Sequence, residues 1–139
     1  IFLRFMRSLL LLPLLLVISK PAIADSEIYK IEVSAESYRN YFMSGTDRNG
    51  SVSGNDPIVT LNIGDTIIFD IDAPRHPFYI KTEFSRGRGK QVTTGTLSGM
   101  PGTQDGKLSW DTTGVSAGTY YYVCSPHASF GMGGSIIVE

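Results

Sequence analysis

The stretch "GTYYYVCSPHASFGMGGSIIVE", residues 118–139, contains two β-rich runs on either side of a short loop. The first run, 118–124, is rich in tyrosine and ends in Cys124, and the second run spans 133–138. Aromatic and β-branched residues favour strands, whereas glycine and proline favour turns. The pattern predicts two strands joined by a loop that contains His127 and Met132.

The rest of the chain after residue 25 has the same character. It lacks a long 3.6-residue periodicity, and its short apolar runs are broken by Gly, Asn, Asp and Pro. Seven or eight strands in a single domain predict an all-β fold, a two-sheet Greek-key β-sandwich. Alternation along the first of them places Tyr29, Ile31 and Val33 on one half-buried face. The predicted strands before residue 118 are 28–35, 41–43, 58–62, 65–71, 78–82 and 107–111.

The N-terminal segment has the order of a secretory signal peptide. Two arginines precede an apolar run, residues 9–18, and small residues follow at Ala22 and Ala24. The run is shorter than the roughly 20 apolar residues of a membrane-spanning helix, which disfavours the alternative of an uncleaved membrane anchor. We expect a signal peptide over 1–24, a single mature domain over 25–139, and export to the periplasm or thylakoid lumen without stable membrane insertion.

The charge of the mature domain excludes one class of partner. Without the three basic residues of the signal segment, nine basic side chains remain against 13 acidic ones, a net charge of −4. Nucleic-acid binding depends on basic side chains that neutralise phosphates, so we expect no nucleic-acid partner. Positive charge is concentrated in "SRGRGK", residues 85–90, which is either a solvated turn or a docking patch for an acidic partner.

Cys124 is the only cysteine in the chain. In an exported protein a structural cysteine is normally half of a disulfide, and an unpaired one is reactive or bound to a metal. The alternative is a small buried core residue.

The neighbours of Cys124 favour a metal. His127 follows three residues later and Met132 eight residues later, so a short loop is able to turn these side chains toward one point. His76, the only other histidine, opens a separate predicted strand. One thiolate, two imidazoles and a weak axial thioether suit copper in a blue-copper electron-transfer site. Met100 is the second choice for the axial position.

The pattern C-x2-H-x4-M at the end of an exported all-β chain, with an upstream histidine at a strand start, resembles the cupredoxin (type 1 blue copper) family. "YYVCSPH" is most similar to the plastocyanins. The resemblance implies one copper ion with His76, Cys124 and His127 as equatorial ligands and Met132 as the axial ligand. It implies a non-enzymatic, monomeric carrier of one electron between redox partners such as cytochromes, which dock on an apolar patch around His127.

Two positions depart from the family pattern. Pro77 stands where plastocyanins carry an asparagine whose backbone N–H reaches the thiolate, and proline has no N–H to donate. Hydrogen bonds to the sulfur are one of the controls on the reduction potential of the copper, and the sulfur here is expected to accept fewer of them. Val123 stands where plant plastocyanins place an exposed tyrosine used in a second docking route, which argues against that route here.

Two other functions use the same residues. A copper-binding module for storage, delivery or sensing would need no redox circuit, but the Met-rich or His-rich tracts common in such proteins are absent from the sequence. A small zinc site is disfavoured because zinc is bound by nitrogen, oxygen and thiolate rather than by a thioether. The uncharged run from Pro126 to Gly131 predicts that His127 lies in an apolar surface at the tip of the loop.

Overall fold

The computed structural model describes residues 12–18 and 25–139. The described piece of the N-terminal segment, 12–18, is exposed and has no regular secondary structure. The rest of the predicted signal peptide, including its cleavage site, lies outside the described residues. Within the described ranges, no helix is both long enough and apolar enough to span a membrane.

The domain is built from strands and one short 3-10 helix. The helix, Ser125–Phe130, lies between the last two strands. The strands are β1 Ile28–Ser34, β2 Phe42–Asp47, β3 Gly50–Asn55, β4 Val59–Leu61, β5 Thr66–Asp72, β6 Phe78–Lys81, β7 Thr96–Ser98, β8 Asp105–Asp111, β9 Gly118–Cys124 and β10 Gly133–Val138.

The strands form two sheets. The larger sheet has the order β3-β2-β1-β5-β8-β7, and the smaller has the order β4-β10-β9-β6. β1 pairs in parallel with β5 and β4 with β10, and the other pairs are antiparallel. The predicted all-β, two-sheet sandwich is confirmed.

The core lies between the sheets and follows the alternation of the sequence. In β1, Ile31 and Val33 are buried while Lys30 and Glu32 are exposed. Trp110 of β8 is fully buried and packs edge-on against Tyr120. Burial of such side chains is the main driving force that holds the two sheets together.

All eight predicted strands are present, and β9 and β10 have the predicted bounds. Two strands, β3 and β7, were not predicted from the sequence, and they are the two edge strands of the larger sheet. Val52 is the only buried residue of β3, and β7 has only three residues. Because an edge strand bonds to one neighbour and buries little, it leaves a weak apolar pattern in the sequence.

Candidate metal centre

Strand pairing brings the two halves of the predicted site together. In the smaller sheet Phe78, at the start of β6, lies opposite Cys124, at the end of β9. The N–H of Ser125 donates to the carbonyl of Pro77 at 3.1 Å. His76 therefore lies beside Cys124, although 48 residues separate them in sequence.

The loop after Cys124 is closed by its own backbone hydrogen bonds. Pro126 occupies the first turn of the 3-10 helix, where a missing N–H costs nothing, and Gly131 ends the helix with a φ of 81°. The N–H of Cys124 donates to the carbonyl of Met132 at 3.1 Å, and the N–H of Met132 donates to the carbonyl of His127 at 3.3 Å. These bonds return Met132 to the base of the loop.

Two imidazoles and the thiol converge on one point. The Nδ1 atoms of His76 and His127 are 3.2 Å apart. The Sγ of Cys124 is 3.7 Å from Nδ1 of His76 and 3.4 Å from Nδ1 of His127. Three ligand atoms that surround a metal in a plane at about 2.1 Å are about 3.6 Å apart, so these separations fit a bound metal ion.

The two candidate methionines have opposite environments. Met132 is fully buried, within the same core as Cys124. Met100 is 75% exposed. This difference favours Met132 over Met100 as the fourth ligand.

The electrostatics of the site also suit a metal. Burial lowers the pKa of His76, and the neighbouring His127 and Arg75 act in the same direction, which favours the neutral imidazole that binds metals. Burial raises the pKa of the Cys124 thiol, against the opposite effects of the Tyr41 hydroxyl and the His127 backbone N–H. Because the protein disfavours the free thiolate, a cation is needed to stabilise it.

An aromatic cluster surrounds His127 at the surface. We define this cluster as Tyr38, His127 and Phe130, whose ring centroids are 5.0 to 6.2 Å apart. Phe130 is 58% exposed and Tyr38 46% exposed, which agrees with the expected apolar surface. Ala128 differs from that expectation because it is buried. Val123 is fully buried, so it offers no exposed side chain at the position of the second docking route.

The basic loop 85–90 lies against the loop that carries the ligands. The fully buried Lys81 donates to the carbonyls of Ser85 at 2.8 Å and Gly87 at 2.6 Å, and burial lowers its pKa. The N–H of Gly87 donates to the carbonyl of Ser125 at 3.2 Å. The two arginines of the loop are therefore held, exposed, near the metal centre.

Two tyrosines at the site were not predicted from the sequence. Tyr38 and Tyr41 come from the connection between β1 and β2. Tyr41 lies immediately before β2, with its hydroxyl 2.8 Å from the carbonyl of His76. Neither has a spacing relation to the C-x2-H-x4-M pattern, and tyrosine is common in strands. No local sequence signal distinguishes them.

A β-sandwich with two imidazoles and a buried thiol gathered at one end is a metal-binding protein whose donor set suits copper. The model of the copper binding proteins, plastocyanin/azurin family, matches residues 58–139, which include all four predicted ligands. The chain belongs to this family. The expected cofactor, copper, and the cupredoxin character of the fold are confirmed.

The chain is also similar to several solved structures. Variant rusticyanin is 25% identical over 86% of this chain and 85% of that chain, with a TM-score of 0.50. The match to rusticyanin from Thiobacillus ferrooxidans is 24% identical over 83% and 79%, with a TM-score of 0.45. The match to a pseudoazurin from Sinorhizobium is 21% identical over 81% and 74%, with a TM-score of 0.47. No curated protein matches the chain significantly.

Proposed function

We propose that this protein carries one electron at a time between redox partners through a single copper ion held by His76, Cys124, His127 and Met132. The observation that carries the proposal is the convergence of two Nδ1 atoms and one Sγ atom at separations of 3.2 to 3.7 Å. Copper bound there supplies a one-electron change between Cu(II) and Cu(I). Its soft thiolate ligand suits the reduced state and its imidazoles suit the oxidised state.

The contribution of the chain is to hold the ligands still. Cys124 and Met132 are fully buried, and their backbones are bonded to each other across the loop. His76 comes from a separate segment that is tied to the same loop through Pro77 and Ser125. A donor set that moves little when the charge changes lowers the barrier to electron transfer. Burial also excludes water from the protein side of the site.

His127 and the aromatic cluster form the proposed route for the electron. The imidazole of His127 is half-buried, and the exposed rings of Tyr38 and Phe130 lie beside it. Exposed apolar surface of this kind marks an interaction site, and redox partners make small, transient contacts. We propose redox proteins such as cytochromes as the partners. The exposed arginines of the basic loop add attraction for an acidic partner.

The cellular setting belongs to the same proposal. The order of charged, apolar and small residues in 1–24 supports a signal peptide, and 25–139 would be the mature monomeric domain. An exported protein of this kind would work in the periplasm or the thylakoid lumen, after cleavage and free of the membrane.

Copper loading of the mature domain, 25–139, tests the function. The protein should turn intensely blue with Cu(II), bleach with a mild reductant and recover its colour on reoxidation over repeated cycles. A protein that binds copper tightly but stays colourless and does not cycle would instead support storage or delivery of the metal.

A further inference from the structure

Tyr41 connects the larger sheet to the segment that carries His76. Its side chain is fully buried, and its hydroxyl lies 2.8 Å from the carbonyl oxygen of His76 and 3.3 Å from that of Pro77. A tyrosine hydroxyl has one proton to donate. The carbonyl of His76 is the nearer acceptor, at 2.8 Å rather than 3.3 Å, so the geometry assigns the proton to it.

Within the described part of the chain, His76 itself has only one other backbone hydrogen bond. The N–H of His76 donates to the carbonyl of Ala73, and the next residue, Pro77, has no N–H. The carbonyl of His76 accepts its hydrogen bond from Tyr41. Without the hydroxyl, the ligand residue would keep only the bond at its own N–H, on the side of the preceding turn.

Tyr41 is itself held in place at both backbone groups. Its N–H donates to Oδ1 of Asp56 at 2.9 Å, and its carbonyl accepts the N–H of Asp56 at 2.8 Å. Its ring packs against Phe78 at 5.2 Å and Tyr122 at 6.4 Å between ring centroids. The hydroxyl is therefore a donor at a fixed position rather than a mobile group.

We propose that Tyr41 is a positioning residue of the metal centre, whose hydroxyl fixes the backbone of His76 and thereby the direction of the His76 imidazole. This inference rests on the proposed copper site. Groups that orient metal ligands typically change metal affinity by about 10–100-fold when they are removed. Tyr41 makes no bond to the metal. Because its hydroxyl also acts on the Cys124 thiol, the resonances of the His76 ring are the readout that is specific to the proposed route through His76.

Tyr122 offers a matched control. It is also fully buried, and its hydroxyl also donates to a backbone carbonyl, that of Pro57 at 2.6 Å. Pro57 belongs to the segment before β4 and is not next to a ligand residue. Tyr41→Phe and Tyr122→Phe therefore delete the same atom from the same kind of bond, one at a ligand residue and one elsewhere.

Copper affinity, measured by competition with a chromophoric chelator, is the first readout. Tyr41→Phe should bind copper about tenfold more weakly than the wild type, and Tyr122→Phe should differ by less than about twofold. The thiolate-to-copper absorption band should shift in Tyr41→Phe alone. In the metal-free proteins, the ¹⁵N resonances of the His76 ring should broaden in Tyr41→Phe and stay unchanged in Tyr122→Phe.

A rescue variant separates loss of the donor from loss of the fold. Site-specific 4-aminophenylalanine at position 41 keeps an N–H donor at the ring tip, so it should restore affinity and band position if Tyr41→Phe folds poorly. Equal behaviour of the two phenylalanine variants in affinity and band position would overturn the inference. So would His76 ring resonances that stay unchanged in Tyr41→Phe, or a rescue variant that folds but binds copper weakly. Failure of the wild-type protein to form a blue copper site would instead overturn the proposed function.

Discussion

The two ends of the sandwich differ in whether their buried polar groups are paired within the protein. At the end where β5 starts, the fully buried Asp65 receives two hydrogen bonds from Arg48, at 2.8 and 3.0 Å, and others from the backbone N–H groups of Glu27 and Asn62. At the end where β9 finishes, two imidazole nitrogens and a thiol face each other. The carboxylate at the first end has its partners within the protein, whereas the thiol and imidazoles at the second end gain a full set of partners only with a bound cation.

The carboxylates of the two ends differ in the same sense. Burial acts to raise the pKa of Asp65, but the hydrogen bonds from Arg48 and the backbone outweigh it and the pKa is lowered. Asp56, beside Tyr41 and Gly133, has no such cation, and burial raises its pKa to about 6 despite the N–H groups of those two residues. At the end that contains the metal centre, which we call the metal end, the cost of burying a charged carboxylate is therefore not offset by a neighbouring cation. At the opposite end it is offset by Arg48.

The largest expected effect comes from removing the sulfur. Cys124→Ser should abolish the intense blue absorption, because the thiolate is the source of the charge-transfer band. The metal-free variant should keep its circular dichroism and a cooperative unfolding transition, since serine is close to cysteine in size. A blue band that persists in the serine variant would rule out Cys124 as a ligand.

Breaking the ion pair of the opposite end should affect stability alone. Arg48→Met leaves the buried Asp65 carboxylate without its cation, so the free energy of unfolding should fall by about 3 kcal/mol in urea titrations. The copper spectrum should be unchanged. Lys30→Met is the matched control, because the Lys30–Asp70 pair is largely exposed and should contribute less than about 1 kcal/mol. Equal losses in the two variants would mean that burial adds nothing to the first pair.

The sequence predicted the metal end better than its surroundings. One strand and the loop after it contain Cys124, His127 and Met132, so the spacing of these ligands can be read directly from the sequence. His76 could be predicted because it is the only other histidine in the chain. Tyr41 is 35 residues from His76 and is brought to it by packing between sheets. Asp56 lies beside Tyr41 but belongs to the β3–β4 connection, where its φ is 44°. No sequence pattern predicts this backbone conformation.

The axial position should affect the reduction potential while leaving copper bound. Met132→Leu removes a weak donor that favours the oxidised state, so the potential should rise by about 60 mV, a tenfold change in the relative stability of the two states. The measurement is a redox titration of the blue band. Met100→Leu serves as the control and should leave the potential unchanged, because this methionine is exposed. The reverse result would mean that Met100 is the axial ligand.

Asp56 predicts a pH dependence of stability that is opposite to that of Asp65. Because the pKa of Asp56 is raised in the folded state, the folded protein binds this proton more tightly than the unfolded chain. The associated stabilisation is complete below about pH 4 and is lost as the pH rises through about 6. In urea titrations of the metal-free protein, Asp56→Asn should therefore gain stability relative to the wild type between pH 4 and 7. A constant difference across this range would show that Asp56 titrates normally.

The smallest expected effect is on docking. This prediction tests whether the electron leaves only at the metal end. Phe130→Ser removes the most exposed ring of the aromatic cluster without touching a predicted ligand, so the copper spectrum should be preserved. Electron exchange with a purified c-type cytochrome should slow by about fivefold, which corresponds to roughly 1 kcal/mol of lost contact energy. Ile63→Ser is the control at the opposite end, where Ile63 is 46% exposed and its N–H is bonded to the carbonyl of Glu139. This control should exchange electrons at the wild-type rate, because a transient partner that approaches His127 does not cover the far end of the sandwich. Slower exchange in Ile63→Ser, with Phe130→Ser unaffected, would place the docking surface away from the copper and would contradict the proposed route through His127.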